Sequence, residues 1–165
     1  DWMLLELRDA ADSTVIVDRT VGLIQSDGSI ISPKGGSKIA FDQAAEGIYF
    51  LALKHSNHLG VMTADKGLLD HRGTLIDFTD PATPVYANGG TAMKNDNGKM
   101  LLWAGDANGD GTINAVDNVS FWLIENGQPF LYGTQKADFN LDGAVNSADL
   151  NLFWLINNSR IQQIP

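Results

Sequence analysis

Residues 106–117 read DANGDGTINAVD, and residues 138–149 read DFNLDGAVNSAD. The two stretches share D‑x‑N‑x‑D‑G, a following Asn and a closing Asp. Each then runs into FWLI‑x‑N. That many shared positions at one fixed offset mark a duplication. Asp106, Asp110, Asp117, Asp138, Asp142 and Asp149 supply 6 of the chain's 20 acidic residues. Carboxylates gathered this closely repel one another unless a cation sits among them.

The spacing suits a hard cation with many oxygen ligands. Ca²⁺ takes six to eight oxygens, and a twelve-residue loop offers them from positions 1, 3, 5, 7, 9 and 12. In the first copy these are Asp106, Asn108, Asp110, the Thr112 carbonyl, Asn114 and Asp117. In the second they are Asp138, Asn140, Asp142, the Ala144 carbonyl, Asn146 and Asp149. Position 6 has to turn sharply, and both copies place glycine there, Gly111 and Gly143. Ile113 and Val145, at position 8, are expected to pin each loop to its partner. The competing structural reading is that D‑x‑N‑x‑D‑G makes only Asx turns. Mg²⁺ is the competing ion, but its tight octahedron with retained waters suits so many protein oxygens less well. Two bound Ca²⁺ would also take the net charge from −9 to −5 (−9 + 4). Folding of this half is therefore expected to depend on the metal.

The punctuation divides the 165 residues into 1–103 and 104–165. The first part reads as short strands: STVIVDRTVGLIQ, SKIAF, GIYFLALKH, TLIDF and KMLLW. SDGS and NDNGK are hairpin turns, and FTDPATPVYANGG, with Pro81 and Pro84, is a loop. Both alternating sets of GIYFLALKH are apolar, so this strand is expected to be buried on both faces. The expected fold is a mainly β antiparallel sandwich followed by a small α domain of two calcium loop–helix repeats. The opening DWMLLELRD starts close to a strand and has no basic flank or cleavage site, as expected of a piece of a longer chain.

The tandem D‑x‑N‑x‑D‑G‑x‑I/V‑N‑x‑x‑D loops, each followed by one helix, resemble a type I dockerin over about residues 106–158. That resemblance implies two antiparallel loop–helix units related by a pseudo-twofold axis, and a cohesin-like partner. Loop positions 10 and 11 commonly meet the cohesin in that family, as does a basic pair in the helix. Here they are Ala115–Val116 and Ser147–Ala148, with FWLI in place of the basic pair. Calcium binding carries over to these residues better than cohesin recognition does. The NHLGVMT stretch, residues 57–63, resembles a β-rich module found beside such repeats in large secreted bacterial proteins.

Both expected helices are apolar nearly all round, which predicts burial on several sides. The expected cover is the β-domain of the same chain, with a separate partner protein as the alternative.

Other functions have less behind them. A net charge of −9 speaks against nucleic acid, and no apolar run approaches the length of a membrane span. There is no cysteine and no G‑x‑S‑x‑G, so nothing assembles a nucleophile. His55 and His58 lie three apart and would point to opposite faces of a strand, with His71 on another segment. Asn57 and His58 are expected to order a strand end by hydrogen bonding. The chain therefore reads as a non-catalytic, extracellular or cell-surface calcium module for bracing or attachment. Millimolar calcium outside the cell keeps sites of modest affinity loaded. The alternative is a carbohydrate-binding sandwich using Trp2, Tyr49 or Tyr86, with burial the expected fate of Trp2 and Tyr49.

Overall fold

The computed structural model describes residues 1–70, 72–129 and 131–165, so His71 lies outside the described residues. The protein is mainly β, with a curled antiparallel sheet and two short helical runs. It divides into two compact units, and not at a single cut. The first comprises residues 1–55, 60–101 and 163–165; the second comprises 56–59 and 102–162.

In the first unit β1 (Trp2–Asp9) is central, paired on one side with β2 (Ile16–Ile24) and on the other with β4 (Gly47–His55). The short strands β3 (Ile30–Ile31), β5 (Val61–Met62) and β6 (Gly67–Leu69) extend this to six strands, all pairs antiparallel. A separate hairpin joins β7 (Lys94–Asp96) to β8 (Lys99–Leu101). Both expected turns are present. Gly28 lies at φ 85° between β2 and β3, and Asn97–Gly98 lie at φ 50° and 84° between β7 and β8. Two positive φ values in a row suit the Asn‑Gly pair of a tight hairpin.

Three strand readings change. SKIAF and TLIDF remain irregular. In TLIDF, Leu75 is 94% exposed, so extension would bury little. Asp77 also accepts from the Thr79 N–H and hydroxyl, forming a local turn that competes with a ladder. In β4 only Ala52 and Leu53 are buried, while Ile48 is exposed.

The two faces of β1 are buried by different chemistry. Met3, Leu5 and Leu7 fill one face. On the other, Glu6 is 1% exposed and meets three cations: Arg8 at 2.7 Å, Arg19 at 3.1 Å and Lys54 at 3.4 Å. Burial alone would raise the Glu6 carboxyl, but the Arg8 bond and the charges of Lys54 and Arg8 hold it below its ordinary value.

The second unit has its own core of Leu59, Trp103, Ala104, Ala107, Ile113, Trp122, Ala137, Phe139, Val145 and Trp154. Its first helical run comprises α-helical Ala115–Asp117, π-helical Asn118–Trp122 and α-helical Leu123–Glu125. The second comprises π-helical Asp149–Trp154 and α-helical Leu155–Asn157. The wide turn recurs at the same place: Leu123 N–H donates to Asn118 O, and Leu155 N–H to Leu150 O. Bonds of this i→i+5 kind define a π turn. Asp117 and Trp122 are both buried, as are Asp149 and Trp154. The outward side stays apolar, with Leu123, Ile124, Leu155 and Ile156 all 58–65% exposed. Burial all round, as the sequence suggested, is not what these helices show.

Candidate metal centre

Each loop folds around its own carboxylates. Asp106 accepts from the N–H of Asp110 and of Gly111, at 3.1 and 2.9 Å, through its two oxygens. Asp138 does the same with Asp142 and Gly143, at 3.1 and 3.0 Å. The last carboxylate of each loop reaches back. Asp117 accepts from Asn108 and Asn114 N–H, and Asp149 from Phe139, Asn140 and Asn146 N–H. At the fifth position, Asp110 accepts from Thr112 N–H and Asp142 from Ala144 N–H. Gly111 and Gly143 have φ 83° and 85°, a left-handed turn that only glycine makes without strain.

The ninth positions have a second duty. Asn114 caps the first helical run through the Val116 N–H, in a capping box closed by Asp117. Asn146 bonds the Ala148 N–H in the same way. At the third positions the amide nitrogens donate to the neighbouring carboxylates, Asn108 to Asp110 at 2.8 Å and Asn140 to Asp142 at 2.9 Å. Thr112 offers its carbonyl to Asn114 Nδ2 at 3.3 Å.

The electrostatics follow from burial. Asp106, Asp117, Asp138 and Asp149 are at most 4% exposed, whereas Asn108, Asp110 and Asp142 face solvent. Burial pushes the Asp106 carboxyl up to about 6, with repulsion from Asp117 and Asp110 adding to it against the Gly111 bond. Burial likewise raises Asp117 and Asp138. Among the described residues, no Lys, Arg or His forms an ion pair with any of the six loop aspartates. Nor do three His, Cys, Asp or Glu side chains converge as a ready ligand cluster. The carboxylates are turned onto loop N–H groups, and the third-position amides lie against the fifth-position acids. The donor set of each loop is nevertheless wholly oxygen, as a hard cation requires. Each Asp106 and Asp138 oxygen accepts one N–H and retains a second lone pair.

The two repeats are stitched reciprocally. Trp122 Nε1 donates to Asn146 O at 2.8 Å, and Trp154 Nε1 to Asn114 O at 3.0 Å. Gly127 N–H donates to Val145 O, and Ser159 N–H to Ile113 O. Ile113 and Val145 are thus pinned by carbonyl as well as by burial.

Asn57 and His58 do hydrogen bond, but within the second unit and not at a strand end of the sheet. Asn57 Nδ2 donates to Lys136 O and Asp138 O, partners 79 and 81 residues away. No local sequence signal marks such a contact. His58 Nδ1 lies 2.7 Å from Asn57 Oδ1, and His55 Nε2 lies 3.1 Å from Asp1. Each imidazole thus has a hydrogen-bond partner of its own.

A comparison with known protein families, curated proteins and solved structures finds no match to this chain. Among the described residues no helix is long and apolar enough to cross a membrane.

Proposed function

We propose that the second unit is a non-catalytic pair of dockerin-like calcium cages, loaded outside the cell, whose ions brace the module for attachment. One observation carries this reading: two loops repeat the same bonds around buried carboxylates that have no cationic partner among the described residues. Burying an unpaired carboxylate is costly, and a divalent ion removes that cost in both loops at once. Asp106, Asn108, Asp110, the Thr112 carbonyl, Asn114 and Asp117 would hold one ion. Asp138, Asn140, Asp142, the Ala144 carbonyl, Asn146 and Asp149 would hold the other. The exposed pairs Leu123–Ile124 and Leu155–Ile156 are an apolar surface on which attachment could act; a cohesin of the usual kind would find no basic pair there.

Calcium titration by calorimetry tests the reading. The chain is expected to take up two ions, and Asp117→Asn and Asp149→Asn one each. A chain that binds none at about 1 mM, where modest sites fill, sinks it. The carbohydrate-binding alternative draws some support from Trp2, which is 47% exposed against the expectation of burial. Yet Tyr49 pairs with Asp9 at the far end of β1, about 24 Å along the strand from Trp2, so these rings make no shared platform.

A further inference from the structure

Residues 56–59 lie between β4 and β5 in sequence but belong to the unit that carries the loops. Leu59 is 1% exposed in that unit's core, and its N–H donates to Trp103 O at 2.8 Å. Asn57, 3% exposed, uses its main chain and its side chain on different loops. Its carbonyl accepts from Gly105 and Asp106 N–H, at 3.0 and 3.1 Å, where the first loop begins. Its Nδ2 donates to Lys136 O at 3.0 Å and to Asp138 O at 2.8 Å, where the second begins. The bond between Asn57 Oδ1 and His58 Nδ1 sets which end of the amide faces those carbonyls.

We propose that Asn57 is a positioning residue coupling the two cages, tying the first residue of one loop to the first residue of the other. The inference rests on the calcium reading above and deepens it. The peptide linking Asp138 to Phe139 carries the effect. Asn57 holds its carbonyl, while its N–H donates to Asp149, the carboxylate that closes the second loop. The side chain thus fixes the second cage, whereas the first depends on the Asn57 main chain, which a side-chain substitution leaves in place.

This asymmetry gives the test. In the full chain, Asp110→Ala silences the first loop and Asp142→Ala the second; both residues are exposed, so neither substitution opens a core. Adding Asn57→Ala should weaken calcium binding about tenfold when only the second loop is active, equal to about 1.4 kcal/mol. It should weaken binding by less than about threefold when only the first is active. Hydrogen exchange supplies a metal-independent readout: the Phe139 amide should lose protection while the Gly105 and Asp106 amides keep theirs. A general loss of stability would expose all three. Equal losses at both loops, or none, overturn the coupling while leaving the calcium reading intact. A parent chain that binds no calcium overturns both. Asn57→Ser, whose hydroxyl reaches at most one carbonyl, provides a milder variant judged by the same ratio. If neither variant folds in calcium, Asn57 is a plain structural residue and the coupling is wrong.

Discussion

Glu6 in the first unit and Asp106 in the second are both nearly sealed from water, at 1% and 3% exposure, yet they are stabilised in opposite ways. Glu6 has Arg8, Arg19 and Lys54 around it, and its carboxyl sits below its ordinary value. Among the described residues Asp106 meets N–H groups and two other acids, and its carboxyl is pushed up to about 6. The first unit carries its own countercharge in its sequence. In the second, no Lys, Arg or His among the described residues pairs with the loop aspartates, and on the proposed reading a cation from solution completes the loops.

The largest expected effect separates the units by metal. Each ion at about 100 times its Kd adds about 2.7 kcal/mol, so two add about 5 kcal/mol. Thermal unfolding followed by tryptophan fluorescence should show EDTA lowering the transition that reports Trp122 and Trp154. An unchanged transition breaks the contrast.

Next in size is the ion cluster of the sheet. Glu6→Ala leaves the buried Arg8 without its carboxylate, while Arg19 and Lys54 reach solvent, and should cost about 3–5 kcal/mol, by the same amount with or without calcium. Urea titrations in both conditions check this; a calcium-dependent cost would mean the units are not independent in this respect.

Acidification should then move the units in opposite directions. Glu6 is depressed, so its contribution is present above its ordinary value of 4.5 and fades as pH falls through its folded value. Asp106 is raised, so the metal-free fold holds a proton between pH 3.8 and about 6 that the unfolded chain releases. Stability of the metal-free second unit therefore falls as pH rises through that window, and in EDTA it should be greater at pH 5 than at pH 7. Calcium should reverse this slope, because protons and the ion compete for the same carboxylates. Equal slopes with and without calcium would remove the metal from the argument.

The smallest effect sharpens a second contrast, between the repeats. At the fourth loop position the first has Gly109 at φ 70° and the second Leu141 at φ 61°. After the helices stand Gly127 at φ 72° and Ser159 at φ 74°. Non-glycine residues are strained in that region by about 1–3 kcal/mol. Leu141 is 44% exposed, so Leu141→Gly removes strain and little packing. It should stabilise the calcium-loaded chain by about 1 kcal/mol, read as a higher urea midpoint. A loss of stability would mean the leucine's contacts outweigh its backbone.

What could be read from the sequence shares one property: its bonds are local. Asp106 to Gly111, Asp117 to Asn114 and Asn114 to Val116 span two to five residues, and the duplicated spacing makes each visible twice. The Asn97–Gly98 turn is legible for the same reason. The amino-acid order by itself therefore specifies two oxygen-rich loops, each running into a helix, and a β-rich remainder. Tertiary structure alone decided which strands flank β1 and that Trp122 and Trp154 would each reach into the opposite loop. It also brought Asn57 to Asp138 across 81 residues. Such contacts depend on which buried donors and acceptors are left unsatisfied once the core has closed, and no short window of sequence contains both partners.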